Sequence, residues 1–547
     1  METVYFRDFD KSENHAYDLY RALTACRKNG ARRLVFEGGK TYALDPTFCF
    51  ERDIAISNHG FNGPHRIAAL IEEMEDFEID FGGATLRLEG EATHIAILRS
   101  HRITLKNAVL ENTCNYFLEA KVIAHGDGYI DVACTHGKEQ FTIRKGELVC
   151  PADKWETIYH LCTNVEFNGE TGELEHGTAD HTLGTYVFDL RCEWLDGDGM
   201  RIYNVKRYPP IGNVLIISGT RRLGAGIFAA DSSDITCKNI TVHSCLGMGF
   251  IAEMCENIHL DGFATRRANG ALSTACADAT HFVDCSGSVV VENGYFEGQL
   301  DDALNIHGMY TRIVEKEENA LLVREMHIEA KGIRIYRVGE RIQVLAPDTL
   351  IPYTEKTITE VEYINADMTR LTLAEGTADV RVGDDVENIS HNVSLLFRHN
   401  TVQNNRARGM LIAARGKTVI EDCDFHTSGA AILFEANGDY WFESGGTKDV
   451  TIRNCRFDRC KYGGWGRGVI QCVGRRAEEE GKYFHEKIAV TDNTFVMLND
   501  TAVIFDNVRN AVFRGNTVTP AEGKEAKVLL HHTGNADIAP GVTIETI

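Results

Sequence analysis

A pattern of eight residues returns along the chain and limits the folds that it can adopt. It alternates apolar and variable residues over four positions, then has a small or polar residue, and ends on an apolar, aromatic or β-branched residue. It reads "ITLKNAVL" from 103, "ITCKNITV" from 235, "IHLDGFAT" from 258, "VVVENGYF" from 289, "TVIEDCDF" from 418, "VTIRNCRF" from 450, "IAVTDNTF" from 488 and "AVFRGNTV" from 511. Fifth positions of successive copies lie 23 residues apart in two places, and 31, 32 or 38 apart in others. A base period of 23 with loops inserted into some turns indicates a solenoid.

Two classes of solenoid have periods near this length. Leucine-rich repeats would place Leu and Asn at fixed positions, and this repeat does not. Short alternating strands separated by Gly, Asn and Asp instead favour a right-handed parallel β-helix, in which apolar residues of successive coils stack into one core. We therefore expect an all-β fold.

Two stretches interrupt the repeat. They alternate like hairpins, with Gly or Asp at the turns, and contain no 23-residue echo. Each is predicted to be a small antiparallel β-barrel inserted between coils. The predicted domains are 1–119 (N-terminal cap and first coils), 120–186 (inserted barrel), 187–312 (coils with the acids described below), 313–390 (inserted barrel) and 391–547 (C-terminal coils).

One helix is predicted, at the N-terminal end. Ser12 is a candidate N-cap and Gly30 a stop signal. Between them, apolar residues have helical spacing: Ala16, Leu19, Leu23 and Cys26. Such a helix would cover the open end of the solenoid core, where strand edges are otherwise exposed.

The charge balance restricts the partners. The 547 residues include 57 Lys and Arg against 80 Asp and Glu, a net charge of −23. Nucleic acid and anionic membrane surfaces would be repelled, so a neutral partner is expected. No run of about 18 apolar residues could span a bilayer. The start, "METVYFRDFD", lacks a secretory pattern, and we expect a cytoplasmic location, or a secreted one if a signal has been removed.

The 16 cysteines are expected to be reduced thiols that fill the core, since they are sparse in a large chain. Cys455 and Cys460 are close in sequence, but no CxxC pair or second ligand pair accompanies them. We expect no metal site and no cofactor.

Three aspartates are the candidate catalytic residues. The stretch "YFEGQLDDALNIHG" contains Asp301 and Asp302, and Asp278 lies 23 residues before Asp301, one coil away. Strands of adjacent coils are about 4.8 Å apart, so the three carboxyl groups should meet. Mutual repulsion would leave one of them protonated and another ionised, as acid–base catalysis requires.

A glycosidase is one enzyme that uses such acids. An offset between coils favours the wide carboxyl gap of inverting enzymes, about 6.5–9.5 Å. We expect Asp301 to be the general acid and Asp278 with Asp302 to position and deprotonate the water. A calcium site or a solvated turn remains an alternative for an Asp pair followed by Asn.

Six further residues are candidates for substrate binding, because sugar sites combine an aromatic platform with polar groups that bind hydroxyls. They are His281, His307, Arg408, Glu435, Trp441 and Glu443. Two alternatives stay open: Trp441 as a packed loop anchor, and Arg408 as an ion pair between adjacent coils.

The assembled motifs resemble glycoside hydrolase family 110, the exo-acting α-1,3-galactosidases. The motifs are "GMGFIAEMCENI" (247–258), "ADATHFVDCSG" (277–287), "FEGQLDDALNIHG" (296–308), "ARGMLI" (407–412) and "WFESGGTKDVTIRNCRF" (441–457). The resemblance implies a β-helix with two barrels and inverting, metal-independent removal of terminal α-1,3-linked galactose. It places the catalytic aspartates at Asp278, Asp301 and Asp302, and it is compatible with a homodimer. The order of the acids is also similar to that of family 28 polygalacturonases, where a His follows the pair; His307 would match it.

The expected partner is thus a galactose-terminated oligosaccharide, of the branched blood group B type, the linear type or both. Two other functions remain open. One is a β-helix hydrolase or lyase acting on another polysaccharide, which for an acidic polymer would need a basic groove or calcium ligands. The other is a non-catalytic carbohydrate-binding solenoid, which would need no carboxyl group with a raised pKa.

Overall fold

The computed structural model describes residues 3–60, 63–113, 117–135, 137–151, 156–159, 161, 164–184, 190–218, 222–474 and 478–547. The fold is all-β, as the repeat predicts. Two helices are present in these ranges, His15–Asn29 and the short Gly137–Gln140. Three 3-10 turns accompany them, at Phe6–Asp8, Pro46–Phe48 and Ile328–Ala330.

Two long sheets form the walls of a parallel β-helix. Sheet A contains 21 strands, and its parallel partners come from successive coils. Its strands are Thr3–Tyr5, Arg33–Val35, Thr41–Leu44, Glu75–Leu88, His101–Asn112, Ser233–Val242, Glu256–Asp261, Ala264–Thr265, Ser286–Glu292, Tyr295–Glu297, Ser394–Arg398, Thr401–Gln403, Lys417–Glu421, Asp424–His426, Asp449–Arg453, Arg456–Asp458, His485–Thr491, Thr494–Val496, Val508–Arg514, Thr517–Thr519 and Asn535–Ile538.

Sheet B faces sheet A across the core and carries the candidate acids at the ends of its strands. Its strands are Phe50–Ile54, Gly63–Glu72, Thr93–Leu98, Ile227–Ala230, Phe250–Glu253, Thr280–Val283, Leu304–Lys316, Met410–Ile412, Ile432–Phe434, Ile470–Cys472, Thr501–Asp506, Lys527–His531 and Thr543–Thr546. All neighbours in this ladder are parallel except the first pair.

The small or polar fifth position of the repeat has a conformational cause. In every copy it takes the left-handed backbone conformation, with φ between 53° and 69°. Asn, Asp and Gly tolerate that conformation better than other residues. The positions are Asn107, Asn239, Gly262, Asn293, Asp422, Asn454, Asp492 and Gly515. The repeat therefore marks one bend in each coil, and the flanking strands pair at the predicted intervals: Ile235 lies opposite Ile258, and Ile488 opposite Ala511.

The apolar positions of the repeat stack into one continuous core. A column of phenylalanines from the last or the third position of successive coils extends through the C-terminal half, with ring centroids 4.7–6.4 Å apart. Its members are Phe296, Phe397, Phe425, Phe457, Phe495 and Phe513, all at most 3% exposed. Aromatic stacking of this kind adds to the burial of apolar surface and fixes the register of the coils.

The first insertion is antiparallel and longer than predicted. One sheet of six strands contains Phe117–Gly126, Tyr129–Ala133, Asn164–Phe167, Arg191–Trp194, Gly199–Tyr203 and Val214–Ser218. A three-stranded sheet contains Thr142–Arg144, Glu147–Pro151 and Glu156–Tyr159. The strands of this insertion continue to Ser218, so the domain boundary predicted at residue 186 is wrong. Residues 191–218 alternate apolar and polar residues as coil strands do. Alternation alone therefore does not distinguish strands of the insertion from strands of the β-helix.

The second insertion is a closed barrel. Six strands pair in a ring, and the first of them is a continuation of the sheet B strand Leu304–Lys316. The others are Ala320–Glu325, Arg341–Leu345, Pro352–Tyr363, Met368–Leu373 and Asp385–Asn388. Because the strand Leu304–Lys316 belongs to both sheet B and the barrel, the barrel is held rigidly beside the acids that precede Leu304.

The capping helix is confirmed, with one correction. Ala16, Leu19, Leu23 and Cys26 are buried, and Gly30 ends the helix at φ 63°. The N-cap is Asn14, whose side chain accepts the N–H of Ala16, and not Ser12. The Ser12 hydroxyl instead donates to the buried Asp18 carboxylate at 2.9 Å.

The thiols match the expectation for reduced core residues. The structure describes 14 of the cysteines, and each of these is free. Cys455 and Cys460 are both buried in the solenoid core. Among the described helices, none is long and apolar enough to cross a membrane.

Candidate active site

The three aspartates meet at the end of two neighbouring sheet B strands. Thr280 lies opposite Leu304, an interval of 24 residues rather than 23, so Asp278 lies beside Asp302 instead of Asp301. The N–H of Asp302 donates to the Asp278 carboxyl group at 3.0 Å. One carboxyl oxygen from each of the three acids lies within 4.8 Å of the others. The predicted meeting of the trio is observed, with the register shifted by one residue.

The trio is at the floor of a cavity of about 700 Å³. Asp278 and Asp301 line it, whereas Asp302 is fully buried beneath. The Asp301 side chain is the most accessible of the three, at 19%. The nearest carboxyl oxygens are closer than the wide gap that the sequence predicts for an inverting enzyme, so inversion has to be inferred from the state of each carboxyl group and not from this distance.

Arginines balance the two adjacent acids. The Arg408 guanidinium pairs with both oxygens of Asp302 at 2.9 Å, so the ion pair between coils is present and also faces the cavity. Arg406 lies 3.1 Å from Asp301, and Arg222 lies 3.8 Å from it. These guanidinium groups form ion pairs with the Asp301 carboxylate and hold it in place.

Hydrogen bonds through two histidines, His307 and His281, indicate that Asp278 carries a proton. His307 Nδ1 donates to the carbonyl oxygen of Gly308 at 2.7 Å, so its Nε2 accepts when the ring is neutral. His281 Nε2 lies 3.0 Å from that atom and must donate to it. His281 Nδ1 is then an acceptor, and it lies 2.6 Å from Asp278 Oδ2. The proton of that short hydrogen bond therefore belongs to Asp278.

The electrostatics lead to the same assignment. Burial, with the neighbouring Asp301 charge, raises the pKa of Asp278 to about 8. Burial holds the pKa of His281 well below its usual range, so its ring is neutral. Burial also raises the pKa of Asp302, and the Arg408 ion pair opposes that rise. The sequence predicts Asp301 as the general acid, whereas these contacts and the raised pKa of Asp278 favour Asp278 as the group that carries the proton.

The predicted binding residues divide into two groups. Arg408, Glu435, Trp441 and Glu443 line the cavity. His281 and His307 are buried behind Asp278 and do not line it. They act on the acid rather than on a ligand.

The strand Glu443–Ser444 brings Glu443 to the floor of the cavity. It pairs antiparallel with Gly308 and Met309, next to His307. Glu443 Oε1 accepts a hydrogen bond from Asn305 at 3.4 Å and lies 3.5 Å from His307 Nε2. Glu443 is therefore fixed at the opposite end of the histidine chain from Asp278.

Sequence reasoning missed an acid from the first insertion. Asp180 lines the cavity and pairs with Arg406 at 2.6 and 2.7 Å, while the Trp465 indole N–H donates to it at 3.4 Å. Arg406 begins the motif "RARGMLI" and could have been found there. Asp180 lies in a stretch without a repeat, and nothing in the sequence relates it to residues more than 200 positions away.

The trio has the spacing of cation ligands, but its surroundings suit it poorly to a metal ion. The Arg408 guanidinium already occupies both oxygens of Asp302, and Arg406 contacts Asp301. Asp278 is engaged on both oxygens, by His281 and by the Asp302 N–H. A divalent cation would have to displace these donors and lie against several positive charges.

Comparison with known proteins finds three matching family models. Residues 118–215 match GLAA-B beta-barrel domain I, residues 320–386 match GLAA-B beta-barrel domain II, and residues 386–539 match the right handed beta helix region. Among solved structures, the chain is similar to the Azotobacter vinelandii mannuronan C-5 epimerase AlgE4 A-module, at 8% identity and a TM-score of 0.44 over 98% of this chain and 100% of that one.

Curated relatives extend over nearly the whole chain. The chain is 29% identical to alpha-1,3-galactosidase B of Phocaeicola vulgatus, over 97% of this chain and 92% of the relative. It is 26% identical to alpha-1,3-galactosidase A of Bacteroides fragilis, over 95% of this chain and 88% of the relative. Together with the two barrel models, these matches confirm the resemblance that the motifs indicate, and the fold is a right-handed parallel β-helix with two inserted barrels.

Proposed function

We propose that this chain, a relative of the alpha-1,3-galactosidases with the barrel domains of glycoside hydrolase family 110, is an exo-acting, inverting glycoside hydrolase that removes terminal α-1,3-linked galactose. One observation carries the proposal: a protonated carboxyl group, Asp278, lies beside an arginine-held carboxylate, Asp301, on a cavity floor. This is the pair of states that glycoside hydrolysis requires. The relatives' names supply the substrate class.

The reaction uses the two acids in different roles. Asp278 donates its proton to the glycosidic oxygen as the bond to the galactose anomeric carbon breaks. Asp301 orients a water molecule against that carbon and accepts its proton as the new bond forms. Asp302 does not reach the cavity; it binds Arg408 and holds Asp278 through its N–H.

Inversion is favoured by the state of each carboxyl group. A retaining enzyme needs a carboxylate that is free to attack the anomeric carbon. Asp302 is buried in an ion pair, and Asp278 carries a proton. The Asp301 oxygens are held in place by Arg406 and Arg222, which favours positioning of a water molecule over movement of the carboxylate to the anomeric carbon.

Exo-action is supported by the parts that surround the acids. Asp180 reaches the cavity from the first insertion, and Trp441 and Trp465 from the C-terminal coils. Such loops obstruct the passage of a polymer along the solenoid and leave room for a chain end. We propose a galactose-terminated oligosaccharide, blood group B type or linear, as the substrate.

The mechanism is tested by following hydrolysis of α-1,3-galactobiose by proton NMR. The first galactose anomer to appear should be β, and Asp278→Asn and Asp301→Asn should each reduce turnover by about 10²–10⁴ while remaining folded by circular dichroism. Asp234→Asn, at an exposed position of the strand Ser233–Val242 in the same solenoid, serves as the control. Early release of α-galactose would contradict inversion, and full turnover in either variant would contradict the assigned roles.

A further inference from the structure

An aromatic wall extends from the cavity to the protein surface. Trp441 lines the cavity and is 40% exposed, while the adjacent Tyr440 is 64% exposed and lies outside the lining. His327 of the second inserted barrel packs against both rings, with centroids 4.8 Å from Trp441 and 5.4 Å from Tyr440. The two rings of the loop are 5.0 Å apart and perpendicular, at 89°. His327, Tyr440 and Trp441 together form this aromatic wall.

The backbone beneath the aromatic wall is held in one conformation. The side-chain oxygen of Asn437 accepts hydrogen bonds from the N–H groups of Asp439, Tyr440 and Trp441, at 3.2, 2.8 and 2.9 Å. Asn437 itself bridges to Glu443, which lies in the strand anchored beside His307. Large exposed rings are thus presented in a fixed geometry, which lowers the entropy lost when a ligand binds.

We propose that the aromatic wall is the binding site for the leaving-group sugar, the residue to which the terminal galactose is attached. The inference rests on the proposed function. If the galactose occupies the cavity floor beside Asp278 and Asp301, the next sugar must lie toward the surface, and Trp441 and Tyr440 form a surface that continues in that direction. Sugar rings pack an apolar C–H face on aromatic rings.

The position of the wall assigns it a role in specificity rather than in bond cleavage. No ring of the wall carries a proton to or from the reacting atoms in this arrangement; burial lowers the pKa of His327, so its ring is neutral. The second inserted barrel therefore contributes to selection of the substrate, because it supplies the histidine that supports both other rings.

The test compares two substrates that differ only in the leaving group. α-Galactosyl fluoride releases fluoride and has no sugar to place on the wall, whereas α-1,3-galactobiose has one. The measured quantity is the ratio of kcat/KM on galactobiose to kcat/KM on the fluoride. In Tyr440→Ala and in Trp441→Ala this ratio should fall by about tenfold, the effect of losing one aromatic contact. Tyr17→Ala, an exposed tyrosine on the capping helix, should keep the wild-type ratio.

Three outcomes are distinguishable. A fall in the ratio in both variants supports the inference. An unchanged ratio, with both substrates still hydrolysed by wild-type protein, overturns the inference alone and leaves the proposed function standing. Wild-type protein that hydrolyses neither substrate overturns the proposed function and the inference with it. Circular dichroism of each variant separates a change of specificity from a loss of fold.

Discussion

At the scale of single residues, the chemistry depends on which of three neighbouring acids carries a proton. The hydrogen-bond directions along His307 and His281 assign it to Asp278, and burial beside Asp301 raises the pKa of Asp278 to about 8. A general acid with that pKa is protonated throughout the neutral range. The same group would ionise with a pKa near 4 in water. Its surroundings in the protein therefore make it able to act as a general acid at neutral pH.

This assignment predicts the alkaline side of the pH–rate profile. Because the acid must be protonated to act, kcat/KM should fall as the pH rises through about 8. The positive charge of Arg222 lowers the pKa of Asp278, so Arg222→Gln should move this limb to higher pH. Arg467→Gln, which removes another cavity arginine, is the control and should leave the limb in place. A limb that moves to lower pH in Arg222→Gln would contradict the assignment.

At the scale of elements, the polar residue that follows one bend joins two neighbouring coils. Asn493 follows the bend at Asp492 and is 1% exposed. Its side chain accepts the N–H of Cys455 at 2.9 Å and donates to the carbonyl oxygen of Ile452 at 3.0 Å, both on the preceding coil. The repeat thus joins neighbouring coils through side chains as well as through strands.

Loss of this side chain should destabilise the solenoid. Asn493→Ala leaves a buried N–H and a buried carbonyl group without partners, and the free energy of unfolding should fall by about 2 kcal/mol. Urea denaturation followed by circular dichroism measures the change. Asn535→Ala removes an exposed asparagine whose contact is with Asn510 at the surface, and it should cost less than about 0.5 kcal/mol. Equal effects of the two substitutions would contradict the role given to the buried Asn493 side chain.

The coils were predictable from the repeat because its fifth position has a left-handed backbone conformation, which restricts the residue type found there. The left-handed bend favours Asn, Asp or Gly, and in most coils one of them is present, so the period, the solenoid and the meeting of Asp278 with the Asp pair follow from the sequence. The extent of the first insertion does not, since its strands at 191–218 alternate as coil strands do. Asp180 was not predictable either, because its position depends on how the insertion packs against Arg406. The proton on Asp278 could not be predicted from the sequence either, because its assignment depends on the directions of two buried hydrogen bonds.

At the scale of the whole molecule, the site is assembled from distant parts. Sheet B supplies the acids, the first insertion supplies Asp180, and the C-terminal coils supply Arg408 and Trp441. The first insertion is tied to the solenoid by Glu119, which accepts the N–H groups of Leu272 and Ser273. The net charge of −23 disfavours an acidic polymer overall, and the cavity arginines at the trio are already paired with aspartates. A neutral sugar is therefore favoured over an acidic polymer.

The central claim is that this cavity hydrolyses terminal α-1,3-galactosides, and the most direct measurement is galactose release from a panel of substrates by one wild-type preparation. The panel contains α-1,3-, α-1,4- and α-1,6-galactobiose and polygalacturonate, each assayed with and without EDTA. We predict release from the α-1,3-linked disaccharide at a rate at least about a hundredfold above the others, a difference of about 2.7 kcal/mol in transition-state binding, with no effect of EDTA. Cleavage of polygalacturonate that EDTA abolishes, or binding of galactobiose without any release of galactose, would contradict the claim.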